Sequence, residues 1–388
     1  MNRNQFLVLV LALIVLGAAG GMLLWQNTSD YQASGAKIGA KLMPQLKVAD
    51  VARIELRDAK TRATLVRKEQ WWIVQERGGY PADFKAISDL IIKLADLKIV
   101  QAETVGESLL ARVELVEPAK SNGEGAGTQV ELKDAAGQTL ANVVLGKKVL
   151  KKDPGNPLPS AQDGVPAGRY VRLIGNKDRN EDKVVVVSDP LGIAEAQPGR
   201  WLDKTFFKID RLRTLAVSDG GSINWKITRA LEWEQWKFAG GVGDASPGAA
   251  GAAVDALSRL ALTDVAPDAR PESEGKPVTV TAETFDNLVY TLKTVRLKSG
   301  GDYLVSVGVA GEPPRERPGE KGEKPEEKER RDKEFVETGK RLELRMAREK
   351  ALSSWTYVVD AKQLEPLLKP REQLVARKAP DDRKRQAR

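Results

Sequence analysis

The chain has 388 residues and contains neither histidine nor cysteine. With no imidazole and no thiol there can be no Ser-His-Asp or Cys-His pair, no thiolate nucleophile and no Cys/His metal site. Phosphate-cradling and nucleophile-elbow signatures (the P-loop, G-x-G-x-x-G, G-x-S-x-G) are missing too, so nucleotide binding and serine hydrolysis have no local signal. Aromatic residues make up only 5% of the chain. Apolar residues at 41% and charged residues at 30% exclude a polytopic membrane protein and a wholly disordered chain. At about 150 residues per domain, the length suggests two or three domains.

One long apolar run is present. Residues 6–25 read FLVLVLALIVLGAAGGMLLW, twenty positions without a charge. As a helix rising about 1.5 Å per residue, this run would cross the ~30 Å hydrocarbon core of a bilayer. Arg3 precedes it and residues 26–36 carry no Lys or Arg, so the positive-inside rule places the amino end in the cytoplasm and the bulk of the chain outside. The expectation is therefore a single-pass protein of the inner membrane, in contact with its lipid, with a periplasmic or extracytoplasmic body. The rival reading is a cleaved signal peptide, since Gly17-Ala18-Ala19-Gly20 would suit a signal peptidase. Against it, apolar residues resume at Met22-Leu23-Leu24-Trp25, and Trp25 suits an interfacial anchor.

After 1–25 as cytoplasmic tip and anchor, residues 26–46 are polar and read as a stalk. Arg53–Arg57, Ala63–Arg67 and Trp71–Val74 alternate apolar with polar and predict a three-stranded meander. Pro81-Ala82-Asp83 is a helix start, and Phe84, Ile87, Leu90, Ile91, Leu94 and Leu97 form one apolar stripe behind it. Further strands are expected at Val130–Lys133, Leu140–Leu145, Tyr170–Ile174 and Lys183–Val187.

The pattern then recurs. Ile54–Asp58 matches Leu215–Asp219; Leu65-Val66-Arg67 with Trp72 matches Ile227-Thr228-Arg229 with Trp236; Val130–Lys133 matches Val295–Lys298; Gly146 matches Gly308; Val186-Val187 matches Val358-Val359. Val254, Leu257 and Leu260 offer a shorter first helix. The fold class expected is α+β: an N-terminal transmembrane helix, then two tandem repeated modules of antiparallel sheet with covering helices, at 47–208 and 209–376. Each has a polar insertion, Lys147–Gly168 in the first and Gly311–Glu334 in the second. The latter holds eight basic and nine acidic residues and is read as a disordered charged insert at 311–334. Ala239–Ala253 reads as a flexible loop. Residues 377–388 form a basic disordered tail carrying six basic and two acidic residues, half of the chain's net +8. Nothing before that tail interleaves basic and aromatic residues on one face, so nucleic acid is not an expected partner.

Among the tryptophans, one per module falls at the same strand position and reads as a core plug. Trp71 and Trp233 are the extra members, free to contact a partner or an envelope polymer. Paired carboxylates such as Glu232 with Glu234 or Asp182 with Asp189 keep a histidine-free hydrolase as a third reading. No catalytic, cofactor-binding or metal residue is assigned, and no cofactor is expected.

The N-terminal span, the strand Val51, Ile54, Leu56, the strand with Trp72, Pro81-Ala82-Asp83, Leu145-Gly146, Tyr170-Val171, and Trp201-Leu202-Asp203-Lys204 with Phe206-Phe207 together resemble the bacterial family called domain of unknown function 4340. The resemblance covers roughly residues 46–376 and carries no active-site motif. It implies a membrane-anchored envelope protein, non-enzymatic, accessory to an ABC transporter of the gliding-motility auxiliary type, with a permease or auxiliary subunit as partner. The second module departs from the pattern, lacking Pro-Ala-Asp and carrying the charged insert. Two function classes are thus open beside the hydrolase: an accessory or scaffolding protein, and a binding module for glycan or peptidoglycan.

Overall fold

A computed structural model describes residues 38–376, apart from 104–105, 152–163, 176–183, 241–243, 299–300, 318 and 320–321. The apolar run at 6–25 and the tail at 377–388 lie outside the described residues; within them, no helix is long and apolar enough to cross a membrane. The architecture is mixed α+β with two antiparallel sheets, and the chain divides into two compact units between Asp203 and Lys204.

In the first unit, the meander is β1 (Arg53–Arg57), β2 (Arg62–Lys68) and β3 (Trp71–Val74), extended by the short β4 (Tyr80–Pro81). Helix α1 (Phe84–Asp96) follows, then β5 (Ile99–Glu103), β6 (Thr128–Lys133), β7 (Thr139–Lys151), β8 (Val165–Leu173) and β9 (Val184–Val187). All nine strands form one sheet in the order β4-β3-β2-β1-β6-β7-β8-β9-β5.

Local chemistry explains these elements. Alternation in β1 sends Ile54 and Leu56 inward and leaves Arg53, Glu55 and Arg57 outside. On the outer face Glu55 accepts hydrogen bonds from Arg53 Nε at 2.7 Å and Lys133 Nζ at 3.0 Å. Partial burial raises its pKa, but these two cations outweigh that and hold the carboxyl below its usual range. Helix α1 is capped by Asp83, whose Oδ1 accepts from the Ala86 N–H at 3.1 Å. Its stripe buries Ile87, Leu90, Ile91 and Leu94. Phe84 departs from the expected stripe and is 65% exposed. As the first helical residue its side chain leans toward the N-terminal end, past the covered stretch.

The four valines of β9 are buried on both sides. One side is covered by a 3₁₀ segment, Glu107–Val113, and the chain after it, with Leu110 and Leu115 packed on Val144 and Val184. Gly146 of β7 permits that approach, because a Cβ there would stand 2.3 Å from the Val113 carbonyl oxygen. The stalk expected at 26–46 is corrected at its end. Gly39 and Leu42 donate backbone hydrogen bonds to the Ile99 and Leu97 carbonyls, and Leu42 and Met43 are buried, so this stretch belongs to the folded unit.

In the second unit, β10 (Leu212–Asp219), β11 (Ser222–Thr228) and β12 (Lys237–Phe238) precede α2 (Pro247–Ser258), β13 (Asp264–Val265) and the single turn α3 (Pro271–Glu274). Next come β14 (Val278–Thr284), β15 (Leu288–Arg296) and β16 (Tyr303–Gly311), then α4 (Pro325–Leu352), β17 (Thr356–Val359) and α5 (Ala361–Leu364). The sheet order is β12-β11-β10-β14-β15-β16-β17-β13.

With β4 set aside, the two orders coincide: β1 corresponds to β10, β2 to β11, β3 to β12, β5 to β13, and β6 to β9 correspond to β14 to β17. Registers agree as well. Ile54 faces Leu65 as Leu215 faces Ile227. Arg67 faces Trp72, and Arg229 lies 4.6 Å over the Trp236 ring. Three of the sequence matches occupy corresponding positions, and two do not. Val130–Lys133 lies on β6, whose counterpart β14 is Val278–Thr284, whereas Val295–Lys298 begins at the end of β15. Gly146 is on β7 but Gly308 is on β16, the counterpart of β8. Connections of unequal length shift the spacing between corresponding strands, so a constant offset slides onto a neighbouring strand of similar composition.

Three further expectations are corrected. The charged insert 311–334 is not a continuous disordered stretch: Gly311 ends β16, and Pro325–Glu334 are the first turns of α4. Lys, Glu and Arg cannot build a core but are good helix formers, and Glu327–Arg331 at 2.9 Å and Glu329–Lys333 at 2.8 Å add i,i+4 pairs. Ala239–Ala253 is not all loop, since α2 starts at Pro247 and buries Ala250 and Ala253. The unit boundary at 208/209 moves to 203/204. Phe206 and Phe207 stack edge-on with Tyr357 at 4.7 and 6.2 Å, which places them in the second core.

Candidate functional site

The tryptophans sort by burial. Trp72, in β3, and Trp236, the residue before β12, are buried; Trp201 and Trp225 are also buried, their Nε1 groups donating to the carbonyls of Glu195 at 2.8 Å and Lys369 at 3.0 Å. Trp71 and Trp233 are 70% and 81% exposed. Trp71 stands at the β2–β3 turn, where it faces Lys68 across the two residues Glu69 and Gln70. Glu69 adopts φ 52°, the left-handed conformation that such tight turns require. Trp233 stands in the β11–β12 connection, the corresponding turn. There Glu234 Oε2 accepts from the backbone N–H groups of Ala230 and Leu231 at 3.2 and 3.3 Å, and Arg229 donates to the Glu232 carbonyl.

These contacts also account for the carboxylates singled out from the sequence. Glu232 pairs with Arg211 at 3.2 Å, and Glu234 closes the turn. Asp189 accepts from the Leu191 N–H at 2.7 Å and pairs with Lys93 at 3.1 Å, while Asp182 lies outside the described residues. Among the described residues no group of three or more acidic side chains is placed to hold a metal ion.

Two polar constellations carry no sequence signal. In the first unit a cleft of about 250 Å³ is lined by Asp58, Lys60, Glu114, Gly127, Thr128 and Arg169, among others. Arg169 is buried, and its guanidinium donates to the Gly146 carbonyl at 2.7 Å and to those of Pro190 and Leu191 at 3.4 and 3.3 Å. Burial lowers its pKa, with Glu114 opposing the shift. In the second unit Glu349, 1% exposed, accepts from the Tyr290 hydroxyl at 2.7 Å and the Lys208 N–H at 2.9 Å. Arg345 lies 3.8 Å from Glu349 and 3.3 Å from Asp210. Burial first, and the Glu349 carboxylate second, push the Tyr290 hydroxyl pKa up. Glu349 and Arg345 come from one turn of α4, Tyr290 from β15 and Asp210 from the segment before β10, elements that no local pattern relates. A trough of about 630 Å³ also runs along α4, but its wall, from Pro325 to Lys340, is that one helix.

The chain matches no family model, no curated protein and no solved structure.

Proposed function

We propose that the protein is a non-enzymatic accessory or scaffolding component of the cell envelope, held at the inner membrane by residues 6–25 and carrying its two sheet units on the extracytoplasmic side. The observation that carries this reading is that the polar groups standing out are tied into the fold. Arg169 donates to three backbone carbonyls, Glu349 accepts from Tyr290 and the Lys208 N–H, and Glu232 and Glu234 hold a turn. Such groups brace surfaces, and a brace suits a protein whose work is to hold partners. The family resemblance directs the choice of partner to an ABC-type transporter, through a permease or auxiliary subunit. The recurring strand order is the ground for reading the two units as a tandem duplication.

Affinity purification of the full chain from gently solubilised membranes tests the proposal. The expected result is co-recovery of a transporter permease or its auxiliary protein, lost when residues 1–25 are removed. Repeated recovery of the bait alone, or a full chain that fractionates as freely soluble, would overturn it.

A further inference from the structure

We infer that the outer end of the β7–β8 hairpin is a second membrane contact, which docks on anionic lipid headgroups; the inference rests on the inner-membrane reading above. The two units differ at this hairpin. Arg169 faces both Lys148 and Val187, and Tyr303 faces both Arg296 and Val359, so the rung Lys148, Arg169, Val187 of the first sheet answers to Arg296, Tyr303, Val359 of the second. In the second unit the hairpin closes from that rung through residues 297–302, with the Leu297 N–H donating to the Asp302 carbonyl at 2.8 Å. In the first unit the two strands run on, Val149 pairing with Gly168, Leu150 with Pro166 and Lys151 with Val165. Of the two hairpins, the one with this arm belongs to the unit that follows the apolar run 6–25.

The surface of the arm selects its partner. Lys147, Lys148 and Lys151 are exposed, and none of them has an acidic partner among the described residues, whereas Lys133 in the same sheet is held by Glu55 and Glu131. No acidic residue stands at 147–151 or 164–168. Beside these ammonium groups Leu150 is 53% exposed, and Val165, which faces Lys151, is 50% exposed. The arm carries no aromatic ring to stack on a base. Cations of one sign joined to bare aliphatic side chains match a bilayer interface, where headgroup phosphates attract the ammonium groups and the aliphatic tips enter the acyl boundary. Reach permits the contact. The Gly39 N–H donates to the Ile99 carbonyl, and Ile99 faces Val187, so the chain joins the sheet on the rung from which the arm departs. Four strand spacings, about 19 Å, separate the two points, and residues 26–37, fully extended, would span up to about 40 Å.

The chain has no cysteine, so Ala167→Cys, at an exposed position of the arm, gives one labelling site for an environment-sensitive nitrobenzoxadiazole dye. The labelled full chain is reconstituted into vesicles of phosphatidylcholine alone or mixed with phosphatidylglycerol. Phosphatidylglycerol should shift the emission to the blue and expose the dye to a quencher carried on the acyl chains, and raised salt should reverse both effects. On the same background K147Q/K148Q/K151Q should weaken docking about 10²-fold, and L150S/V165S should reduce the quenching. These side chains being exposed, unfolding midpoints should be unchanged. Emission that is the same with and without phosphatidylglycerol, a triple-glutamine variant that behaves as the wild type, or a shift produced by DNA or polyglutamate and not by phosphatidylglycerol would each overturn the inference. Flotation with phosphatidylcholine vesicles reads the anchor separately. A chain that floats but shows no shift defeats the arm alone, and one that floats only with phosphatidylglycerol, with the shift, defeats the anchor while the arm stands.

Discussion

The two units share a strand order yet cover their sheets differently. The first uses a helix of large aliphatic residues, Ile87, Leu90, Ile91 and Leu94, started by an Asp83 cap. The corresponding helix of the second is built on Ala250, Ala253 and Leu257, has Ser246 at the cap position without a side-chain hydrogen bond, and covers less. That unit has recruited α4, which enters the core only through its last turns, at Met346, Glu349 and Leu352. One sheet is thus covered by aliphatic side chains from α1 and the 107–115 segment, the other partly by a helix whose contact includes a buried ion and hydroxyl network. Strand order tolerates either solution because ladder hydrogen bonds come from the backbone, whereas coverage depends on side-chain volume.

The largest expected effect tests the second solution. Glu349→Ala leaves the Tyr290 hydroxyl, the Lys208 N–H and Arg345 without their buried partner, and should cost about 3–5 kcal/mol. Urea unfolding would measure it, and hydrogen exchange should show the loss of protection concentrated in β14 to β17. A gain in stability would mean that the network serves something other than holding α4. In the first unit Gly146→Ala forces a Cβ to 2.3 Å from the Val113 carbonyl oxygen, an overpacking worth about 1–3 kcal/mol that should be read as protection lost in β7 and the 107–113 segment.

Alkaline pH discriminates between the units. The Tyr290 pKa is raised in the folded state above its ordinary 10.0, so its contribution is fully present below pH 10 and is lost as pH rises from there. Stability of the wild type should fall above pH 10 more steeply than that of Tyr290→Phe, and parallel curves would refute the assignment. The smallest effect compares the caps. Asp83→Ala should cost about 1 kcal/mol, whereas Ser246→Ala should fall within about 0.5 kcal/mol of zero because no side-chain bond is lost. Equal losses would show that α1 and α2 start in the same way after all.

Much of the fold was legible because it rests on period and punctuation. Alternation marked β1, β2, β3 and β6, three-and-four spacing marked α1, and Asp83 announced its cap. The exposed tryptophans were legible in a weaker sense: Trp71 and Trp233 stood out as tryptophans in excess of one plug per module, but that one begins β3 and the other lies in the β11–β12 connection required the sheet. β5, β12 and β13 were not legible as strands, being short or lacking clear alternation, and the start of α4 was hidden because charge argues against a core without arguing against a helix.

The sequence by itself determined the segments: which residues alternate, which form a stripe, and which chemistries are ruled out by the absence of His and Cys. Only the tertiary structure decided which strand answers to which in the two units, why Gly146 must lack a side chain, and that Tyr290, Arg345 and Glu349 meet. The physical reason is range. Periodicity and capping act within a few residues and are written locally, while sheet partners and buried hydrogen bonds join distant residues, as Lys208 and Glu349 are at 141 positions apart, and depend on how the whole chain closes.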